Sequence, residues 1–202
     1  MISQIMQNAI DERSVQKVQP SIFKKQIAEH LKKLQGEDRR LRFGYMVKDE
    51  GIDSYVERMS SKDIIFAVFD LDMQIVAMAH FSLLEDGTAE LGLSVNSDRR
   101  GEQLGSKLFY RAILTAKILG IEEVFVQCLI ENKIMQHLAK KHDMRVQTHY
   151  GTGEAEGRID LEPATLRDVI EHAMIQQITM YDLAYKTNMS TMRKTTEILR
   201  SA

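Results

Sequence analysis

The stretch Glu90-Leu91-Gly92-Leu93-Ser94-Val95-Asn96-Ser97-Asp98-Arg99-Arg100-Gly101-Glu102-Gln103-Leu104-Gly105 holds the residues best suited to chemistry. An apolar run enters a polar turn that contains arginine and glycine. The turn leads straight into Ser106-Lys107-Leu108-Phe109-Tyr110-Arg111-Ala112-Ile113-Leu114, which has helical periodicity. A strand feeding a helix in this way aims unpaired backbone N–H groups at whatever lies in front of the helix, and the helix dipole adds positive charge there. The backbone of residues 101–106 is therefore expected to bind a pyrophosphate, with Arg99 or Arg100 adding charge. The competing reading is a solvated turn capped by glycines. Glu90 is a carboxylate in an otherwise apolar strand, where alternation puts it on one face with Gly92 and Ser94. Such a carboxylate is costly unless it is paired, solvated or used as a base. Asn132 precedes a helical pattern and caps it or bonds a ligand.

Other side chains have weaker claims. His80 lies in an apolar run, as a base, a substrate contact or a structural residue. His137, His142, His149 and Tyr150 are candidate proton donors that no spacing singles out. Cys128 is either a nucleophile, which needs a neighbouring base, or a buried inert thiol. Arg39-Arg40-Leu41-Arg42-Phe43-Gly44-Tyr45 is either a solvated charge run or a surface that recognises an anionic substrate group, an RNA or a protein.

These residues need elements to hold them. Helices are expected over 2–17, 20–35, with Gly36 as its stop, and 49–59. Pro20 and Pro163 read as helix starts. In the second helix Ile22, Phe23, Ile27, Leu31 and Leu34 recur at helical spacing. Strands are expected over 64–69, 74–84 and 89–95, with Asp86-Gly87 as a hairpin signal, giving an antiparallel meander. A helix over 102–119 and a strand over 124–129 follow, so strands 89–95 and 123–129 should lie parallel. A helix over 132–141, strands over 145–150 and 158–161, and a helical tail from Pro163 as one helix or two complete the chain. The tail is too apolar to stand free, and is expected to pack on the N-terminal helices or on a dimer mate.

The bulk composition sets limits. The chain has 202 residues, 44% of them hydrophobic and 28% charged, which suits a globular protein. A net charge of -2 argues against bulk attraction to nucleic acid or anionic membrane. Cys128 is the only cysteine, so neither an internal disulfide nor a cysteine-based zinc site can form. No run approaches the roughly 20 apolar residues that span a bilayer, and nothing at the N-terminus looks like a signal peptide. A cytoplasmic protein is expected.

Arg100-Gly101-Glu102-Gln103-Leu104-Gly105 resembles the Gln/Arg-x-x-Gly-x-Gly/Ala motif of the GCN5-related N-acetyltransferases, the GNAT superfamily. Glu131-Asn132-Lys133-Ile134-Met135-Gln136-His137-Leu138-Ala139-Lys140-Lys141 is similar to that family's asparagine-led helix after the fifth strand. The resemblance spans roughly residues 39–162. It implies an α/β (α+β) fold: a mixed, mostly antiparallel sheet with a central parallel strand–helix–strand unit, and extra helices at both ends. One domain over 1–202 is expected, with a helical lead (1–38), a core (39–162) and a helical tail (163–202). The resemblance also implies acetyl-coenzyme A as donor and a small-molecule or peptide amine as acceptor. Residues Arg100, Gly101, Glu102, Gln103, Leu104, Gly105 and Ser106 would hold the pyrophosphate. Leu93, Ser94, Val95 and Asn132 would border the pantetheine arm, in a gap where strands four and five splay apart. Glu90 would be the base. Two positions depart from the family pattern: Gln103 replaces its middle glycine, and Ala139 stands where many members carry the tyrosine that reprotonates the leaving thiolate. These departures motivate the rival reading, a catalytically weak acyl-coenzyme A sensor or assembly module.

Overall fold

The computed structural model describes residues 15–84 and 86–201. Seven strands form one sheet in the order β1-β2-β3-β4-β5-β7-β6. They are β1 (Val15–Val18), β2 (Ile64–Phe69), β3 (Ile75–Leu83), β4 (Thr88–Val95), β5 (Glu123–Leu129), β6 (Arg145–His149) and β7 (Glu154–Asp160). Among the described residues six helices surround the sheet: α1 (Pro20–Lys33), α2 (Gly36–Phe43), α3 (Asp49–Glu57), α4 (Leu104–Ile118), α5 (Lys133–Lys141) and α6 (Leu166–Ser201). Every neighbouring strand pair is antiparallel except β4 with β5, which α4 connects. The expected mixed sheet and its parallel crossover are both present.

Side chains alternate along the strands between two cores. Phe66, Phe81 and Leu91 belong to one, with Leu108, Phe109 and Ala112 of α4. Ile65, Ile75 and Met78 belong to the other, with Ile27 and Leu31 of α1 and Ile52 and Val56 of α3. All six positions of β2 are buried, as expected for a strand covered on both faces. The hairpin between β3 and β4 turns at Gly87, whose φ of 83° is left-handed. Asp86 fixes this turn by accepting the Thr88 backbone N–H at 3.0 Å.

Several expectations need correction. Of the helix expected over 2–17, residues 2–14 lie outside the described residues, and Val15–Val18 is a strand paired antiparallel to β2. Four residues with polar Gln16 and Lys17 in the middle carry no strand period, so only the neighbouring strand defines β1. Gly36 does not follow a helix running to residue 35. α1 ends at Lys33, and Gly36, with φ 48°, opens α2. The basic segment 39–45 falls largely within α2, with Glu37 and Asp38 in the first turn and Arg40 and Arg42 in the last, matching the helix dipole. Ile22, placed on the apolar face by spacing, is 68% exposed. The last expected strand begins earlier, at Glu154, directly after the turn from β6.

The tail is a single helix. It starts at Leu166 rather than at Pro163, behind a reciprocal cap in which Thr165 Oγ1 accepts the Asp168 N–H at 3.2 Å and Asp168 accepts the Thr165 N–H at 2.8 Å. Ile175 is fully buried with Leu114 of α4, beside Tyr110, Met174 and Ile178. Further along, Asp182 accepts from Gln16 of β1 at 3.3 Å, and Arg193 donates to Asp72 of the β2–β3 turn at 3.3 Å. Among the described residues the tail docks on α4 and β1 of its own chain, and its Leu183 packs against the core that α1 shares. Among the described residues no helix is long and apolar enough to cross a membrane.

His30 is the polar exception on the buried face of α1, at 1% exposure. Its Nδ1 lies 3.1 Å from the Ile75 carbonyl oxygen and its Nε2 2.8 Å from Ser94 Oγ. The carbonyl can only accept, so Nδ1 carries the proton and Ser94 donates to Nε2. Burial pushes the His30 pKa down to about 4. Between that value and the ordinary 6.5 the unfolded chain binds a proton that the folded chain refuses, so stability falls as pH drops through this window. Urea titrations should show unfolding free energy dropping by about 2 kcal/mol from this group between pH 7 and pH 5. His30→Gln should flatten that slope; an equal slope in the variant would remove His30 as its cause.

Candidate active site

β4 and β5 pair over only three residues on each strand, Thr88, Ala89 and Glu90 with Glu123, Val124 and Phe125. Beyond Glu90 they part. β4 stays paired with β3 as far as Val95, and β5 stays paired with β7 as far as Leu129. The sheet thus opens at its middle without either half unravelling. One edge of β4 beyond Glu90 has no strand partner, which is an invitation to an extended ligand.

The turn after β4 closes the upper end of this opening. A short 3₁₀ turn, Ser97–Arg99, leads to Gly101, with φ 86°, and then to Gln103, with φ 59°. Gln103 is the N-cap of α4, and its carbonyl accepts the Lys107 N–H at 3.1 Å. The N–H groups of Leu104, Gly105 and Ser106, in the first turn, have no acceptor within the helix. Together with the left-handed residues before them they form an anion-binding concavity. A Cβ built on Gly105 would lie 3.4 Å from Leu138 and 4.0 Å from Val95, so this glycine sits between β4 and α5.

A cleft of about 560 Å³ runs from this turn down the open edge. It is lined by Leu93, Ser94, Val95, Arg100, Gly101, Gln103, Leu104, Gly105, Ser106 and Asn132, so ten of the eleven residues expected to hold a nucleotide come together there. Glu102 is not on the wall; it forms an ion pair with Arg99 at 2.6 Å. Arg100 pairs with Asp38 of α2. Both arginines of the turn are thus already paired with carboxylates, and the donors the turn itself leaves free are its main-chain amides. Lys141 and His137 of α5 also line the cleft. Lys141 was not singled out from the sequence, because a lysine late in a helix reads as a solvated charge.

Asn132 Oδ1 accepts the Met135 N–H at 3.0 Å, so the capping role is realised. Its Nδ2 donates to the Leu41 carbonyl at 3.3 Å, across to α2. Ser106 Oγ lies 2.9 Å from His142 Nε2, and the His142 ring stacks on Phe109 with centroids 4.5 Å apart. Burial lowers the His142 pKa. His149 and Tyr150, in the β6–β7 region, line neither this cleft nor the pocket below it.

A second pocket, of about 400 Å³, adjoins the cleft and shares Leu41, Arg42, Leu93, Asn132 and Met135 with it. Glu90, Tyr55, His80, Gln127, Cys128 and Glu154 are on its walls. Glu90 is exposed and faces Ser82 across the β3–β4 ladder, while His80 faces Gly92. His80 does not stand alone. Its Nδ1 is 2.5 Å from the Tyr55 hydroxyl, and its Nε2 is 3.0 Å from Asp63 Oδ1. Burial holds the His80 pKa below its ordinary value despite Asp63. Burial alone would raise the Asp63 carboxyl, but the Ser60 amide and His80 outweigh it and hold it low. Burial pushes the Cys128 thiol up, which suits an inert sulfur. Tyr55 and Asp63 were missed by sequence reasoning. Tyr55 shares a helical face with Ile52 and Val56 and reads as core, and Asp63 reads as a turn residue before β2. The position expected for a tyrosine acid is Ala139, which is fully buried.

The sequence profile of the acetyltransferase (GNAT) family matches residues 28–144. No curated protein sequence matches the chain. The fold is similar to the GNAT domain of S. lividans PAT, with a TM-score of 0.62 at 14% identity, over 73% of this chain and 89% of that one. It is also similar to an N-acetyltransferase from Staphylococcus aureus Mu50, with a TM-score of 0.57 at 14% identity, over 73% and 98%. The ribosomal-protein-S18-alanine N-acetyltransferase from Escherichia coli gives a TM-score of 0.55 at 12% identity, over 75% and 96%. At such identities the likeness is one of fold.

Gln103 occupies a left-handed conformation that costs an ordinary side chain about 1 kcal/mol. Gln103→Gly relieves this but gives the unfolded chain more freedom. A net gain in unfolding free energy of about 0.5 kcal/mol is expected from urea titration. Gln103→Ile, β-branched at the same φ, should lose about 1–2 kcal/mol. A gain in the isoleucine variant would show that the turn adopts another backbone.

Proposed function

The chain belongs to the acetyltransferase (GNAT) family, and on that premise we propose that it moves an acetyl group from acetyl-coenzyme A to a primary amine by direct attack in a single ternary complex. Family membership supports acyl transfer from an acyl-coenzyme A donor to an amine in general; the acetyl group and the roles of individual residues are our reading. One observation carries it: the unpaired edge of β4 and the amide-rich start of α4 open into the same cleft.

The residues present suit such a donor. Main-chain N–H groups over 101–106 would take the pyrophosphate. Backbone groups at Leu93 and Val95 would pair with the amides of the pantetheine arm, in place of the strand that β5 no longer supplies. When bound, the donor supplies an acyl carbon already activated as a thioester.

The chain must then present a neutral nitrogen. An amine is mostly protonated at neutral pH, and Glu90, on the wall of the adjoining pocket, is the group we assign to remove that proton, directly or through water. Once Glu90 holds that first proton, the neutral nitrogen attacks the thioester carbon; as the nitrogen–carbon bond forms and the carbon–sulfur bond breaks, sulfur leaves as thiolate and the second nitrogen proton passes to solvent. Ala139 offers no proton, so water protonates the sulfur. Solvent can do this because a thiolate is a tolerable leaving group.

Donor binding is tested by calorimetry. Gly105→Glu drives a carboxylate past Leu138 towards the cleft and should weaken acetyl-coenzyme A at least about tenfold. Gly105→Ala should bind nearly as well as wild type, because its Cβ meets only ordinary contacts. Equal affinity in the glutamate variant would displace the donor from this cleft. For the chemical step, thiol release by Glu90→Gln should fall about a hundredfold at pH 7 with donor affinity retained, and recover towards pH 9 as free amine accumulates. A wild-type rate at pH 7 would take Glu90 out of the mechanism.

A further inference from the structure

Three arginines in α2 have three different fates. Arg39 pairs with Asp49 at 2.7 Å and donates to the carbonyls of Leu34, Val47 and Lys32. Arg40 pairs with Glu37 at 2.7 Å and reaches Glu131 at 3.6 Å. Arg42 is half-buried, and among the described residues no carboxylate lies within ion-pairing distance of it. Its Nε is buried without an acceptor. Its Cζ lies 5.2 Å from the Phe43 ring centroid and 5.7 Å from that of Tyr55, contacts that offset part of the lost hydration but supply no counter-charge, so a bound anion would complete it.

The protein nevertheless holds this guanidinium in place. A Cβ on Gly92 would lie 2.8 Å from Arg42 Nη2 and 2.9 Å from Cζ, so any side chain at position 92 would push the guanidinium from its present place. Nη2 donates to the Tyr55 hydroxyl at 3.0 Å. That hydroxyl must then give its own proton to His80 Nδ1, which leaves His80 with its proton on Nε2, donated to Asp63. Asp63 is itself fixed by the Ser60 N–H at 2.7 Å and by Ser82 Oγ at 3.3 Å. This chain of hydrogen bonds runs in one direction, from Arg42 through Tyr55 and His80 to Asp63.

Arg42 lies on the wall shared by the donor cleft and the second pocket, and Glu90 and Glu154 are on the walls of that same pocket. A pocket of about 400 Å³ with a cation on one wall and carboxylates on others suits a small dipolar molecule. We infer that the acceptor is a small amine that also bears an anionic oxygen group, carboxylate or phosphate, and that Arg42 binds this group while Tyr55, His80 and Asp63 position Arg42. This rests on the acyltransferase reading for its chemistry, though not for the binding of the anion. A guanidinium fork grips either anion in two parallel hydrogen bonds.

The test uses matched pairs: γ-aminobutyrate against butylamine, and phosphoethanolamine against ethanolamine. Thiol release should favour at least one anionic member by about tenfold or more in kcat/KM, and which pair responds separates carboxylate from phosphate. Arg42→Gln should erase that preference, mainly through KM, and Arg42→Lys should restore part of it. Asp63→Asn should weaken it as well, leaving the pH dependence of kcat unchanged, as expected of a positioning residue. Calorimetry with the same amines and coenzyme A present gives a second readout that needs no turnover. Arg42-dependent binding of an anionic amine without thiol release would keep the inference and sink the transferase reading. Equal kcat/KM within both pairs, binding of no anionic amine, or a preference that survives in Arg42→Gln would overturn the inference.

Discussion

The structure depends on β4 and β5 pairing for three residues and then separating. Backbone donors and acceptors cannot be left unsatisfied in a dry interior, so a gap in a central sheet persists only where each half is anchored elsewhere and the gap is open to a ligand or solvent. Both conditions hold. β3 secures β4 along its whole length, and β7 does the same for β5. α4, the crossover between the two strands, starts at the wide end of the gap and points its free amides there. One topological element therefore makes both the cleft and its anion-binding end.

The opposite face of β4 has its own logic. Alternation puts Glu90, Gly92 and Ser94 in a row towards the N-terminal helices. Ser94 is tied to His30 of α1. Gly92 gives up its side chain so that Arg42 of α2 can lie against the backbone. Glu90, nearest the pairing with β5, is left exposed in the pocket. Three successive positions on one face thus serve as an anchor, a space and an exposed carboxylate. They are held in register by a strand whose other face, through Ala89 and Leu91, is buried in the α4 core.

The crossover and the turn were legible in the sequence because strong local signals agree there: a period of two, a glycine-rich turn and a period near 3.6. The Asp86-Gly87 hairpin and the Asn132 cap were legible for the same reason, since their chemistry is local. β1 was not, because its four residues are a strand only by virtue of Val68 and Ile65 beside them. Nor did the sequence distinguish Arg42 from Arg39 and Arg40. Composition counts three like charges, while pairing depends on where Asp49, Glu37 and Glu131 fall in space. Tyr55 and Asp63 join His80 from separate segments, and long-range hydrogen bonds of that kind leave no periodic trace.

α2 roofs the cleft and is strapped at both ends. Asp38 is tied to Arg100 near the start of α4, while Arg40 and the Leu41 carbonyl are tied to Glu131 and Asn132 at the corner after β5. Two of the three straps are solvent-exposed ion pairs, each worth no more than about 1 kcal/mol and weakened by dissolved ions. The attachment of this roof across the cleft is thereby coupled to ionic strength: a salty medium slackens the charged straps and leaves the asparagine amide to span the gap, while Arg39 still holds α2 on its own side.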